Sequence, residues 1–184
     1  QPRADTRWQP SISGGWFGGS PKEWAEDATG FGHAISAQVS RVNPARRMSL
    51  VVGASYNTIG TGDRGMGVSN SDTTHFIGHI QGMLYTLGAN WRILGTDRMT
   101  WTAGVAGGTM FRRYASSVRR PDGTRYTRAY SWDTEVAGVA RSAVTLPLAG
   151  SLGMRIEGEL FNAVQVIHSE APMYALQLGL VWQR

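Results

Sequence analysis

Arginines alternate with aromatic residues between positions 111 and 132, and this segment carries the clearest chemical pattern in the sequence. Guanidinium groups bind phosphates and carboxylates through paired hydrogen bonds, and neighbouring aromatic rings add cation–π contacts. The pattern therefore predicts a surface that binds phosphate groups. The alternative interpretation is a solvated hairpin whose arginines only keep it soluble. The residues of this predicted phosphate-binding surface are Arg113, Arg119, Tyr126, Arg128, Tyr130 and Trp132.

The dipeptide Asp122-Gly123 lies at the centre of this segment and favours a two-residue type I′ hairpin turn. Such a turn would pair Pro121 with Thr124. The same register would place Arg112 opposite Asp133, where the two side chains would form a cross-strand ion pair. It would also bring the arginines and aromatic residues of the predicted phosphate-binding surface onto one outer face.

A second group of charged residues lies on the polar side of segments in which polar and apolar residues alternate. Both signs of charge occur in this group, and charges enclosed in a narrow interior must be paired. We therefore predict an ion-pair network that fills the interior of a barrel, with a gated polar path as the alternative. The residues predicted to form this network are Arg92, Arg112, Asp133, Glu135, Arg141, Arg155, Glu157 and Glu159.

The remaining reactive residue types give weaker patterns. The sequence has no cysteine, which excludes disulfides, thiolate chemistry and zinc ribbons. His75 and His79 would stand about 13 Å apart on a strand, so we predict no metal site. The segment 168–170 (His-Ser-Glu) offers the groups of a hydrolase, but adjacent residues of an extended chain point to opposite faces. A catalytic triad would need a residue from another loop, and we predict no catalytic residue.

The elements that must position these residues are strands. The 184 residues form a single predicted domain, 1–184, in which only 17% of residues are charged and 24 are glycine. Short turn sequences alternate with longer polar ones, and the glycine-rich segment 57–74 is predicted to be an external loop. Eight strands are predicted between the turns, at about 7–17, 31–42, 48–56, 75–93, 99–120, 124–145, 151–167 and 172–182.

Large apolar side chains alternate with small or polar ones from Tyr174 to Trp182, which indicates a strand with one oily face. Eight antiparallel strands can close into a barrel, and an oily outer face requires lipid around it. Aromatic residues lie towards the strand ends at separations that correspond to about 20–25 Å along tilted strands, close to the apolar thickness of a bilayer. The predicted membrane-interface aromatics are Trp8, Trp16, Trp91, Trp101, Phe111, Tyr174 and Trp182.

With these turns, faces and terminal residues, the chain resembles the small eight-stranded outer-membrane β-barrel family of the OmpA-barrel and OmpX type. The resemblance covers nearly all residues and includes the final strand, Tyr174 to Trp182, which is similar to the terminal strand read by the barrel-assembly machinery. It implies an all-β, antiparallel, up-and-down transmembrane β-barrel. It also implies that the termini and three short turns lie in the periplasm and that four longer connections lie outside the cell.

The resemblance implies the bacterial outer membrane, and we expect a secretory signal peptide to have been removed before Gln1. We expect a structural, anchoring or surface-interaction role, with no enzymatic activity, cofactor or metal. The expected partners are outer-membrane lipids, lipopolysaccharide at the arginine hairpin and a protein bound by the external loops, but no nucleic acid. The alternatives are a lipid A-modifying enzyme, a narrow channel and a soluble lipocalin-like carrier.

Overall fold

The computed structural model describes residues 6–19, 30–68, 72–119, 123–164 and 173–183, and they form eight β-strands. The strands are β1 (Arg7–Gly19), β2 (Gly30–Val42), β3 (Met48–Val68), β4 (Asp72–Gly95), β5 (Thr100–Arg119), β6 (Arg125–Ala149), β7 (Leu152–Val164) and β8 (Met173–Trp182). Each strand pairs antiparallel with its neighbours in sequence, and β1 also pairs with β8. The predicted eight-stranded, antiparallel, up-and-down barrel is therefore confirmed. No helix in the described ranges is long and apolar enough to cross a membrane.

The connections β2–β3, β4–β5 and β6–β7 are short and lie at one end of the barrel, which we call the short-turn end. Local hydrogen bonds close these turns. In the β2–β3 turn, the amide of Arg46 donates to the backbone carbonyl oxygen of Asn43 at 2.9 Å. The amide of Ala45 donates to Oδ1 of the same asparagine, also at 2.9 Å. Gly150, between β6 and β7, has a φ of 57°, which favours glycine. The other four connections lie at the opposite, long-loop end.

The prediction of an external loop at 57–74 is wrong for most of that segment. Residues 57–68 continue β3, and β4 begins at Asp72. The two strands stay paired as far as Val68 and Asp72, with one irregularity between Thr61 and Arg64. Glycine disfavours a strand only locally, and a neighbouring strand that satisfies the backbone hydrogen bonds outweighs that preference.

The β5–β6 hairpin follows the predicted register only from the short-turn end up to Arg113. Arg112 is aligned with Asp133 as predicted, but a β-bulge beyond Arg113 inserts one extra residue into β6. Arg119 therefore pairs with Arg125 instead of with Tyr126. The predicted pairing of Arg119 with Tyr126 is therefore wrong. The predicted type I′ turn includes Asp122, which lies outside the described residues, and Gly123 has a φ of 82°.

The side chains divide between the two faces of the barrel as predicted. On β8, Leu178 is 57% exposed and lies on the outer face, whereas the adjacent Gln177 is 1% exposed and lies in the lumen. On β7, Ile156 is exposed and the charged residues on either side of it are buried. A carrier of apolar ligands needs an apolar interior, so this arrangement excludes the lipocalin-like alternative.

Glycines allow close approach of strands at two places on opposite sides of the barrel. At the β1–β8 contact, a Cβ atom on Gly15 would overlap the carbonyl oxygen of Leu176. At the β4–β5 contact, a Cβ atom on Gly108 would overlap the carbonyl oxygen of Tyr85. Glycine commonly occupies positions where a barrel bends tightly or backbones approach closely. These two contacts therefore help to close the sheet around a narrow lumen.

Candidate functional site

The charged residues of β7 form the centre of a polar network in the lumen. The Nε atom of Arg155 donates to Oε2 of Glu157 at 2.5 Å, and Nε2 of Gln38 donates to Oε1 of the same carboxylate at 2.9 Å. Arg141 reaches across from β6 and donates to Gln38 Oε1 at 3.4 Å and to Thr86 Oγ1 at 3.3 Å. All five side chains are buried, so these contacts replace water as their hydrogen-bonding partners.

The same network continues towards β8 and β1. Glu159 lies 3.7 Å from Nε of Arg141 and accepts a hydrogen bond of 3.1 Å from Nε2 of Gln177. The Gln177 carbonyl oxygen accepts hydrogen bonds from Ser13 at 2.7 Å and from Ser36 at 2.6 Å. Six of the eight strands thus contribute to a connected set of side chains, which we call the lumen network. Its members are Ser13, Ser36, Gln38, Thr86, Arg141, Arg155, Glu157, Glu159 and Gln177.

Apolar side chains and an ion pair separate from the network fill the lumen beyond it, towards the long-loop end. Phe17 and Phe161 stack with their ring centroids 5.2 Å apart, and Leu84 and Met110 belong to the same buried cluster. Nη2 of Arg112 lies 2.9 Å from Oε2 of Glu135, with the side chains 1% and 0% exposed. The arrangement can hold charges and strands in place, but across this described part of the lumen it offers no wide aqueous path.

The structure distributes the predicted network residues as follows. Arg141, Arg155, Glu157 and Glu159 meet in the lumen network, while Arg112 and Glu135 form the separate pair. Arg92 lies at the mouth of the short-turn end, where its guanidinium donates to the carbonyl oxygen of Pro44 at 3.1 Å. The position of Asp133 is aligned with Arg112, and its side chain lies outside the described residues.

Sequence reasoning missed the uncharged members of the lumen network. Gln38 and Gln177 are almost fully buried: Gln38 links the Glu157 carboxylate to the Arg141 guanidinium, and Gln177 links the Glu159 carboxylate to two serine hydroxyls. Their signal in the sequence was a polar side chain at an inward position of an apolar strand. That signal shows the face on which a residue lies, but it does not identify the partner across the lumen.

The predicted phosphate-binding surface is only partly described. Arg113 is half-buried, two residues beyond Phe111, and its position pairs with Trp132. The side chains of Arg119, Tyr126, Arg128, Tyr130 and Trp132 lie outside the described residues. Positions paired across a ladder share a face, and the register pairs Arg119 with Arg125, Tyr126 with Val118, and Arg128 with Ser116. The predicted register is therefore wrong above the bulge, and the shared face of these residues stays a prediction, because all of their side chains except that of Arg113 lie outside the described residues.

The predicted interface aromatics lie at two levels of the outer surface. At the short-turn end, Trp101 donates from Nε1 to Ser142 Oγ at 3.0 Å. Nearer the long-loop end, Phe111 packs edge-on against Tyr85, with a centroid distance of 6.0 Å. The short-turn level contains Trp8, Trp91, Trp101 and Trp182, and the long-loop level contains Trp16, Phe111 and Tyr174.

Other candidate reactive groups remain outside the description. The side chains of His75 and His79 and the segment 168–170 lie outside the described residues. In the part of the chain that the structure describes, no three His, Asp or Glu side chains are grouped so that they could hold a metal ion.

Several solved structures have the same architecture as this chain. A major outer membrane protein from Thermus thermophilus superimposes with a TM-score of 0.59 at 11% identity, covering 96% of this chain and 99% of that one. Neisserial surface protein A superimposes with a TM-score of 0.52 at 13% identity, covering 98% of this chain and 99% of that one. The chain has the fold of the small eight-stranded outer-membrane β-barrels. Among these barrels, the attachment invasion locus protein Ail of Yersinia pestis, solved with the heparin analogue sucrose octasulfate, gives 0.50 at 11% identity, with 96% and 99% covered.

The similarity to known proteins does not extend to the amino-acid sequence. No protein-family model matches the chain, and no curated protein matches it. The likeness to known proteins is therefore one of fold alone.

Proposed function

We propose that this protein is a bacterial outer-membrane barrel that anchors a binding surface outside the cell and neither transports solutes nor catalyses a reaction. One observation carries the proposal: the four consecutive strands β3 to β6 have 20 to 25 residues, whereas the other four have 10 to 13. The long strands extend well past the rest of the barrel at the long-loop end. We call this extension of β3–β6 the platform.

The size of the platform follows from the strand registers. The pairing of β2 with β3 ends at Ile59, but β3 continues for nine residues to Val68 and remains paired with β4. Nine residues of a strand tilted by about 40° rise by about 20–25 Å. A sheet of this height would project above the lipid head groups and present its side chains to other molecules.

The platform also has two sheet edges among the described residues. Beyond Ile59, β3 is not paired with the described part of β2. On the other side, β6 pairs with the described part of β7 only from Val136 onwards. Strand edges carry backbone N–H and C=O groups that an extended peptide can pair with. This supports a protein partner that adds a strand to the platform.

Truncation of the platform tests this proposal. Replacing residues 62–77 by Asn-Gly shortens β3 and β4, and the barrel strands below stay intact. The variant should still insert into membranes and show the heat-dependent gel migration of a folded barrel. Whole cells that produce it should lose adhesion to surfaces that bind the parent protein. Unchanged adhesion by the folded variant would refute the platform's role.

Lipopolysaccharide is the second proposed ligand, and the position of Arg113 favours it. This residue follows the long-loop aromatic level by two positions, a height at which lipid phosphates would lie. Arg119 is in phase with it along β5. A double variant Arg113→Ser/Arg119→Ser should retain less lipopolysaccharide than the parent through detergent extraction and purification. The matched variant Arg41→Ser/Arg98→Ser, at the opposite end, should retain as much as the parent, and equal retention in both variants would refute the site.

A further inference from the structure

The lumen opens at the short-turn end into a cavity of about 260 Å³ whose walls are strongly basic. Four arginines line it: Arg46 and Arg47 from the β2–β3 turn, Arg92 from β4 and Arg155 from β7. No aspartate or glutamate belongs to the described lining. We call this cavity the arginine mouth.

Arg155 gives the arginine mouth an unfilled donor. Its side chain is more than nine-tenths buried, and its Nε atom is used by Glu157. Its Nη2 atom is buried without a hydrogen-bond partner among the described residues. A buried donor without an acceptor is unfavourable, and a guanidinium that lines a polar cavity favours an oxygen acceptor inside it.

The opposite wall of the mouth is held in place by backbone contacts. The amide of Arg92 donates to the carbonyl oxygen of Arg47 at 2.7 Å, which joins β4 to the β2–β3 turn. The guanidinium of Arg92 donates from Nη2 to the carbonyl oxygen of Pro44 at 3.1 Å. The Arg92 guanidinium and the backbone of Arg47 are thereby held in place before any ligand arrives, which lowers the entropic cost of binding.

The charge balance of the mouth points to an anion. Glu157 neutralises Arg155 from the network side, while Arg46, Arg47 and Arg92 have no carboxylate partner within the described lining. The acidic residue of the neighbouring surface groove, Asp97, faces Arg47 and Arg92 from outside the mouth. A cavity of this volume holds several waters at about 30 Å³ each, or one phosphate group with part of its hydration shell.

We propose that the arginine mouth binds a phosphate group from the side of the membrane on which the short turns lie. Arginines recognise the tetrahedral oxygens of phosphate through charge-assisted hydrogen bonds, and Arg155 lines the inner wall with a guanidinium whose Nη2 has no acceptor among the described residues. The phosphate is that of a small soluble molecule or of a phospholipid head group. This site is independent of the platform, which lies at the other end of the barrel.

Calorimetric titration of the full chain with inorganic phosphate and pyrophosphate tests the site. Micelles of dodecyl maltoside are used because this detergent carries no phosphate. We expect saturable binding with one site per chain, and at least tenfold weaker binding by the variant Arg46→Gln/Arg47→Gln. Both substituted residues are exposed in a turn, so the barrel should fold normally.

The charge-matched control is Arg41→Gln/Arg98→Gln, which removes two arginines from the same end but outside the cavity. It should bind phosphate within twofold of the parent. Absence of saturable binding by the parent, or an equal loss in the control, would overturn the proposal.

Titrations in nanodiscs separate the two sources of the phosphate group. Phosphatidic acid mixed into phosphatidylcholine should weaken the binding of free phosphate if a lipid head group fills the mouth. Phosphate affinity equal to that in pure phosphatidylcholine would identify a soluble ligand. Both results support an oxyanion site, whereas failure to bind phosphate in micelles and in both kinds of nanodisc contradicts it.

Discussion

Glu157 illustrates how a buried charge is tolerated in this barrel. Its carboxylate accepts one hydrogen bond from Arg155 on its own strand and another from Gln38 on β2. Removing one partner of a buried pair leaves an uncompensated charge, whereas replacing both partners with apolar residues is often close to neutral. The stability of the protein therefore depends more on both partners being present than on the attraction between the two charges.

The variant Glu157→Leu should reduce the free energy of unfolding by about 3–5 kcal/mol, because it leaves Arg155 and the Gln38 amide without their acceptor. The double variant Arg155→Met/Glu157→Leu should recover most of that loss. Urea unfolding in lipid vesicles, followed by tryptophan fluorescence, measures both changes. A double variant as unstable as the single one would contradict this account of the pair.

Gln177 stabilises the network without carrying a charge. It accepts hydrogen bonds from two serines and donates one to Glu159, so an apolar replacement removes three buried hydrogen bonds, and only the contact of 2.6 Å between Ser13 and Ser36 remains for the serines. We expect Gln177→Leu to reduce the free energy of unfolding by about 2–4 kcal/mol, measured in the same vesicles. The neighbouring outward substitution Leu178→Ile should change it by less than about 1 kcal/mol. Similar losses for both variants would argue against a specific role of the amide.

At the scale of elements, glycine placement controls where strands can approach each other. Gly107 and Gly108 are adjacent on β5 but face opposite sides of the sheet. A Cβ atom on Gly107 would meet open space, whereas one on Gly108 would overlap the backbone of Tyr85 on β4. The requirement for glycine therefore comes from the neighbouring strand and not from the turn chemistry of β5.

This difference predicts unequal effects of two otherwise identical substitutions. Gly108→Ala should reduce the free energy of unfolding by about 1–3 kcal/mol, because the strands must separate to admit the methyl group. Gly107→Ala, the matched control, should have an effect within about 0.5 kcal/mol. Equal stability of the two variants in vesicles would show that the β4–β5 contact is not close enough to require glycine.

The whole molecule has the reverse of the usual arrangement of a soluble protein, with apolar side chains outside and charges inside. Leu178 lies midway between the aromatic levels on the outer face of β8, whereas Leu148 is exposed at the short-turn end. Charge on the lipid-facing surface costs most at the bilayer midplane and little near the interfaces. The position of a residue along the barrel axis should therefore decide the effect of an introduced charge.

Leu178→Lys should reduce the free energy of unfolding by about 2–4 kcal/mol, and Leu148→Lys by no more than about 1 kcal/mol. Reversible unfolding in phospholipid vesicles distinguishes the two outcomes. Equal losses of stability in the two variants would mean that the bilayer surrounds another part of the barrel, or that no bilayer surrounds it.

The filled lumen leads to a prediction about conduction. The lumen network, the Phe17–Phe161 stack and the Arg112–Glu135 pair occupy successive parts of the interior. Eight strands enclose a space that side chains can fill. Planar-bilayer recordings of the purified protein should therefore show no steady, reproducible conductance, and a stable unitary current would favour the channel alternative.

The local features of this protein are predictable from its amino-acid sequence. Alternation with a period of two residues identified the strands and their lipid-facing and inward faces, and turn residues separated the elements. The positions of the charged residues of β7 followed from that alternation. These features are predictable because each depends on residues a few positions apart in the chain.

Tertiary structure alone decided which residues meet. The bulge beyond Arg113 shifted the register of the β5–β6 hairpin by one residue, and barrel closure joined Gln38 of β2 to Glu157 of β7. Closure also gathered arginines from the β2–β3 turn, β4 and β7 around one cavity. The physical reason is that contacts across the lumen depend on the stagger and tilt of all eight strands together, and no local pattern contains that information.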